Sequence, residues 1–383
     1  MRGPVRGRPR RTGCGLRTLG RVAEMPQVHV ARLGRAQLRI AEAGVDAALI
    51  TCPANVWYLT GLVSSNAAVL LPADGLGVLG TDSRYAETAE QACPEVELVI
   101  AHQVEPALAR LAAARGCRTL AFEAQEVTVE RHGELSALDG GPRLVPLGPV
   151  VEQLRMVKDE TEIALLARAC AITCEAFAGV LPAIVPGRSE RELAVLLERA
   201  MIDRGAEAVA FPTIVAGGPN GAIPHHSPGE RAFAVGDLIT IDCGARYGGY
   251  HADMTRTVAL GEPAGWQREI YELVASAQLA GIAAAIPGAD VEDVDAAARD
   301  IIEAAGHGGH FQQALGHGVG VQVHEAPIIG YGRTGTLAKR AAVTIEPGIH
   351  LPGQGGAGIE DTLVVRPQAP EILTTAAREL LVL

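Results

Sequence analysis

Two stretches of this chain repeat one pattern, and that pattern limits what the chain can fold into. In the first, an apolar strand ends on an acid (Leu238-Ile-Thr-Ile-Asp242), a glycine-rich connection follows, and a second strand opens on another acid, Asp253, and continues Met-Thr-Arg-Thr-Val. In the second, Val343-Thr-Ile-Glu346 runs through Pro347, Gly348, Gly353, Gly355, Gly356 and Gly358 to Ile359-Glu360 and the strand Asp-Thr-Leu-Val-Val. Each stretch reads as a hairpin with an acid on both arms. Acids buried at strand ends are costly without a cation, so the two ribbons are expected to face each other around one or more cations. Taken singly, each acid reads equally as a solvated turn residue; the matching of two ribbons is what gives the set its meaning.

His317, flanked by Gly316 and Gly318, adds an imidazole to the four carboxylates. Oxygen and imidazole donors without a thiolate suit Mn, Co, Fe or Zn in an open site better than a closed structural zinc. Five donors are too many for one catalytic metal with an open position, and they fit two divalent ions about 3.5–4 Å apart, with Mn the first expectation. Such ions acidify water and polarise a carbonyl, so hydrolysis would need no serine or cysteine nucleophile. Proton handling then falls to nearby histidines. His225 sits in Pro224-His-His-Ser, and His324 lies seven residues beyond His317. An odd offset in an extended strand puts His317 and His324 on opposite faces, whereas a bend at the glycines brings them together; spacing leaves both open. His226, His307 and His310 read as loop histidines.

The rest of the chain divides in two. Residues 30–45 are helical in pattern, and short strands follow near 47–51, 67–71, 77–79, 97–100 and 119–122, with Asp74-Gly75 as a hairpin turn and a helix near 85–92. This alternation predicts an α/β domain over 27–145. Breakers crowd residues 139–149, which read as a junction. Beyond it, Asp159 with Glu162 and Ser189 with Glu192 are capping boxes that open two helices. Two more helices cover roughly 266–285 and 290–305. Residues 146–383 are thus expected to form an α+β domain in which helix pairs and antiparallel ribbons occur twice.

Residues 1–23 hold seven arginines and no acid, and the segment 1–26 reads as a disordered or spurious extension, with Met25 a credible start. The remainder carries 26 basic residues against 44 acids, a balance that argues against nucleic acid and anionic membranes as partners. No run of 18 apolar residues predicts a membrane span. Seven cysteines without a CxxC pair are not a disulfide framework, which points to a reducing cytoplasm. Cys243 follows Asp242 directly but, as its strand neighbour, should face the other way.

These motifs resemble the creatinase/aminopeptidase-type metallopeptidases, whose catalytic domain has the pita-bread fold. The matching segments are PTIVAGGPNGAIPHH (212–226), GDLITIDCGARYGGYHADMTRT (236–257), GHGVGVQVHEAP (316–327), TIEPG (344–348) and GIEDTLVV (358–365). DAALITCPANVWYLTGL (46–62) and TDSRYAE (81–87) resemble the creatinase-like N-terminal domain. The resemblance is nearest to Xaa-Pro dipeptidases and the short aminopeptidase P type. It implies a pita-bread catalytic domain with a pseudo-twofold repeat, a homodimer, and small peptides with proline second as substrates. It also implies Asp242 on one metal, His317 and Glu346 on the other, and Asp253 and Glu360 bridging. His225 and His324 match substrate-contacting histidines, and Glu346 would relay a proton. One position departs: members that cleave before proline commonly carry arginine two residues before the last acid, where this chain has Gly358. A lost supporting partner typically costs about 10–100-fold in metal affinity or activity, and Arg256 is the candidate to compensate. The alternatives are the same site acting on a small non-peptide amide or zwitterion, and a binding protein on a peptidase scaffold.

Overall fold

The computed structural model describes residues 25–383. The expected extension over 1–26 therefore lies outside the described residues, save for Met25 and Pro26, which open helix α1. The chain forms two compact units that part between Gly148 and Pro149.

The first unit runs α1 (Met25–Glu42), β1 (Ala47–Ile50), α2 (Pro53–Thr60), β2 (Ala67–Pro72), β3 (Val78–Thr81), α3 (Ala86–Ala92), β4 (Glu97–Ile100), α4 (Val104–Ala114), β5 (Thr119–Glu123), α5 (Val129–Ser136) and β6 (Arg143–Leu147). The strands make one mixed sheet, ordered β4-β3-β2-β1-β5-β6. β1 pairs antiparallel with β2 and parallel with β5. All four residues of β1 are buried, as expected for a central strand covered on both faces. Leu49, Leu70, Val78 and Leu120 pack with Val104, Leu108 and Ala112 of α4. Strand β6 falls in the breaker-rich stretch that suggested a junction. It is an edge strand, where Pro146 can be accommodated without a ladder donor.

The second unit begins with α6 (Val150–Met156), α7 (Glu160–Val180) and α8 (Glu190–Asp203). Both predicted capping boxes are present, at Asp159–Glu162 and Ser189–Glu192. Strands β7 (Ala208–Val209), β8 (Ile214–Gly217), β9 (Leu238–Cys243), β10 (Ala245–Tyr247), β11 (Tyr250–His251) and β12 (Met254–Ala259) follow, then α9 (Gly265–Ala284) and α10 (Val291–Ala304). The chain ends with β13 (Gly316–Gly318), β14 (Glu325–Ile329), β15 (Ala342–Ile345), β16 (Gly348–Leu351), β17 (Gly355–Gly358), β18 (Asp361–Val364), β19 (Glu371–Ile372) and β20 (Leu381–Val382).

These elements form two similar halves. One sheet, β20-β12-β9-β8, is covered by α7 and α8: Ile172, Phe177, Leu193 and Leu197 pack on Val215, Ile239, Ile241 and Val258. The other, β14-β13-β15-β18-β19, is covered by α9 and α10: Ile270, Val274, Val294 and Ala298 pack on Val343, Ile345 and Leu363. Helix α7, with its extension to Ala183, is long and apolar enough to cross a bilayer by length and composition alone. Over half of that window is buried in the core, as in a soluble core helix.

Candidate metal centre

Strand register brings the acids together. In the first ribbon β9 pairs antiparallel with β12, so that Asp242 lies opposite Thr255, and Asp253 immediately precedes β12. In the second, β15 pairs with β18, placing Ile345 opposite Asp361, so Glu346 and Glu360 sit at the same end of their ladder. The Glu360 N–H donates to the Thr255 carbonyl at 3.0 Å, which ties one ribbon to the other. Alternation along β9 leaves Asp242 on the site face, while Cys243 packs in the core with Ile239 and Ile241.

His317 enters from β13. Its backbone crosses the neighbouring strands at close range: a Cβ on Gly316 would fall 2.0 Å from the Thr344 carbonyl oxygen, and one on Gly318 would fall 2.1 Å from that of Ala326. Only glycine fits at these two positions. The register shifts between His317 and Gly318, and residues 321–324 bend. The bend resolves the parity question: the rings of His317 and His324 meet edge-on, with centroids 4.4 Å apart. The His317 Nδ1–H donates to the Gly318 carbonyl at 2.9 Å, leaving Nε2 to face the acids, 3.2 Å from Glu346 Oε1 and 3.6 Å from Asp253 Oδ2.

Asp253, His317 and Glu360 are buried and offer ligand atoms within 4.8 Å of one another. Asp242 and Glu346 are partly open, and both line the same cleft as those three. Burial, with Glu346 alongside, raises the Asp242 carboxyl from 3.8 to about 7. Burial and the neighbouring carboxylates push Asp253 and Glu360 well above the carboxylate range. Asp242 Oδ1 and Glu360 Oε1 are buried without a hydrogen-bond partner. Crowded acids with orphaned oxygens fit a site built for cations, since deprotonated carboxylates this close repel one another and a cation removes that cost.

Three threonines that the motifs did not single out support the acids. Thr255 donates to Glu360 Oε2 at 2.8 Å, Thr344 donates to Glu346 Oε1 at 2.9 Å, and Thr362 donates to the Asp253 carbonyl at 2.8 Å. The signal was present in part: Thr344 stands two residues before Glu346 and Thr255 two after Asp253, on the same strand face. Arg256 is buried and reaches the carbonyls of Thr255, Glu360, Ala376 and Ala377 and the Asp361 carboxylate. It grips the backbone of Glu360 rather than its carboxylate, so it stabilises the ribbon without replacing an arginine at position 358.

His225 and His324 are exposed on the wall of a cleft of about 280 Å³, together with Phe211, Pro212, Pro228 and Val323. The loop bearing His225 is anchored by Glu190, a fully buried acid in the first turn of α8. It accepts from the N–H groups of Gly217 and Gly229, from Asn220 and from His226. The loop bearing His324 is anchored by Glu325, which meets Arg155 at 2.6 Å and Lys158 at 2.9 Å, all three buried. Burial alone would raise the Glu325 carboxyl, but Lys158 and Arg155 outweigh it and hold the group at about 2. Its stabilising contribution is thus present above the ordinary carboxylate range and lost as pH falls towards 2. Glu325→Gln is expected to destabilise the protein by about 3–5 kcal/mol, because it takes from buried Lys158 its carboxylate. Denaturant unfolding measures this; a loss under about 1 kcal/mol would mean that buried Lys158 does not depend on that carboxylate.

Residues 164–367 match the model of metallopeptidase family M24, and residues 32–157 match the creatinase/prolidase N-terminal domain. The chain is 34% identical to a Xaa-Pro dipeptidase of Pyrococcus furiosus over 89% of its own length and 96% of the relative's. In three dimensions it is similar to a Xaa-Pro dipeptidase from Bacillus anthracis, with a TM-score of 0.89 at 34% identity, covering 93% of this chain and 100% of that one. It is also similar to an X-Pro aminopeptidase from Thermotoga maritima, with a TM-score of 0.85 at 35% identity, covering 92% and 99%.

Proposed function

Because the chain belongs to metallopeptidase family M24 and carries that family's catalytic domain behind a creatinase/prolidase N-terminal domain, we propose that it hydrolyses the bond between an N-terminal residue and a following proline, using two divalent metal ions. The observation that carries this reading is the cluster of crowded acids with two orphaned buried oxygens beside a histidine-bearing cleft. In this reading Asp242 would hold one ion, His317 and Glu346 the other, and Asp253 and Glu360 would be shared by both. The chemistry such a pair would supply is Lewis acidity at the scissile carbonyl and at the attacking water.

The chain's own groups do the rest. Thr344 occupies one oxygen of Glu346, so the other is available to take the proton of the attacking water. His225 and His324 stand on the cleft wall, where they reach the carbonyl oxygen, and the proton that Glu346 takes from the water passes to the departing nitrogen. Partial desolvation and the nearby His317 lower the affinity of His324 for a second proton, so its neutral ring is suited to donate an N–H to the carbonyl oxygen. A prolyl nitrogen carries no N–H, so a site that grips that group fails on this bond. The apolar wall of Phe211, Pro212, Pro228 and Val323 instead offers contact to a ring. The names of the similar proteins, dipeptidase and aminopeptidase, support both peptide lengths. Gly358 favours one alternative, the same hydrolytic site acting on a small non-peptide amide or zwitterion, because it leaves space beside the acids.

Chelator-treated protein is expected to release no proline from Xaa-Pro dipeptides or from longer peptides with proline second, and Mn is expected to restore release with two ions bound per chain. Undiminished hydrolysis by metal-free protein would sink the mechanism. A metal-loaded protein inactive on both peptide lengths would sink the substrate.

A further inference from the structure

Ile214, His225, Asp242, Glu346 and Glu360 line two cavities rather than one. The second, of about 100 Å³, lies on the side of the β16–β17 ribbon, and the mechanism above makes no use of it. Its near wall is small, with Gly348 and Gly358 beside Thr240 and Thr255. A Cβ on Gly358 would meet only Thr255 Cγ2, at 3.3 Å, so space opens directly from that residue. Gly358 is nevertheless fixed: its N–H donates to Thr257 Oγ1 and its carbonyl accepts from the same hydroxyl, both at 3.0 Å.

The far end is polar. His350 pairs with Gly356, while Ile349 and Ala357 beside them turn into the core, so the ribbon backs the cavity and His350 faces it. The His350 Nδ1–H donates to the Gly221 carbonyl at 3.1 Å, which leaves Nε2 as an acceptor, 3.4 Å from the amide nitrogen of Gln313.

We propose that this second cavity receives the side chain of the N-terminal residue, and that Gly358, His350 and Gln313 are specificity-determining. They select a side chain of about leucine's size and favour one with an amide end, such as asparagine. The inference rests on the hydrolysis before proline proposed above. With the scissile carbonyl at the acids, proline and whatever follows it occupy the wider cleft, and the short cavity backed by the core holds the one residue that precedes the bond. An amide there takes the place of the long Gln313–His350 contact, donating to His350 Nε2 and accepting from Gln313, which a leucine side chain cannot do.

The test measures kcat/KM for Gly-Pro, Leu-Pro and Asn-Pro on the Mn-loaded parent, Gly358→Leu and His350→Leu. It also measures calorimetric binding of free glycine, leucine and asparagine to the same proteins. The parent is expected to favour Leu-Pro and Asn-Pro over Gly-Pro by about tenfold or more, the scale on which a filled apolar pocket discriminates. Gly358→Leu should bring the Leu-to-Gly ratio near one. His350→Leu should lower the Asn-to-Leu ratio about tenfold and keep the Leu-to-Gly preference; it also keeps the test in force if Gly358→Leu does not fold. Ratios that neither variant moves overturn the cavity's role while leaving hydrolysis before proline intact. If no Xaa-Pro peptide is cleaved, the hydrolytic reading falls, and the binding data alone decide: leucine binding weakened about tenfold in Gly358→Leu supports the cavity, and unchanged binding overturns it.

Discussion

A protein carrying Glu360→Gln is expected to be nearly inactive yet more heat-stable than the parent when both are free of metal. The backbone of Glu360 is held independently of its carboxylate, by its N–H to the Thr255 carbonyl and by Arg256 on its own carbonyl. Thr255 can donate to a glutamine amide oxygen as it does to Glu360 Oε2. Glutamine therefore keeps the shape of the site and spares the folded state the proton that burial and repulsion by the neighbouring carboxylates force onto Glu360. Relief of that repulsion appears as a gain of a few degrees in Tm, at roughly 2–4 °C per kcal/mol for a unit of this size. If Glu360 is a metal ligand as proposed, the same change takes a carboxylate from the metals, so kcat/KM should fall by more than about a hundredfold, beyond what loss of a merely supporting partner costs. Activity within about tenfold of the parent, or a lower metal-free Tm, would contradict the assignment of Glu360 as a ligand that stability alone does not explain.

The two ribbons were legible in the sequence because strand alternation and breaker positions are local. An acid at the end of an apolar run, with glycines beyond it, announces its own place. The capping boxes at Asp159 and Ser189 were legible for the same reason, since cap and partner lie three residues apart. What was not legible depends on pairs distant in sequence. Glu325 meets Lys158 across 167 residues and Arg256 meets Asp361 across 105, and no period or motif announces such pairs. Strand β6 was lost to its own breakers, because Pro146 reads as a stop until the strand is known to lie at a sheet edge. The relation of His317 to His324 needed the bend at 321–324, which parity could not supply. Arg256 corrected an expectation in another way: the right residue type stood nearby, but its guanidinium is committed to backbone carbonyls and the Asp361 carboxylate.

Freed of metal, the protein is expected to lose stability as pH rises above about 6.5. Asp253 and Glu360, raised by burial and by their neighbouring carboxylates, keep protons in the folded state that the unfolded chain has already released. While the folded state binds the extra proton, stability falls with pH by up to about 1.4 kcal/mol per unit for each proton retained. Asp242, at about 7, contributes at the lower edge of this range. At His317, burial favours the neutral ring, but the hydrogen bond it donates to Glu346, the charges of Glu346 and Asp242 and the Gly318 carbonyl together outweigh it; the raised value adds in the same direction. Below 6.5 the trend is opposed, because His29, lowered by burial to about 4, and His251, His324 and His350, also lowered by burial, favour the folded state as pH rises towards their ordinary value. The range from 6.5 to 8.5 therefore reads the acids together with His317. Excess Mn should reverse the slope there, since binding requires the deprotonated carboxylates and tightens as they lose their protons. At a hundredfold excess over Kd it should add about 2.7 kcal/mol. Thermal unfolding across this range, with chelator and with Mn, measures both slopes. A metal-free Tm that climbs from pH 6.5 to 8.5 would mean that the acids are already neutralised by groups within the fold, and that the cluster is not waiting for cations.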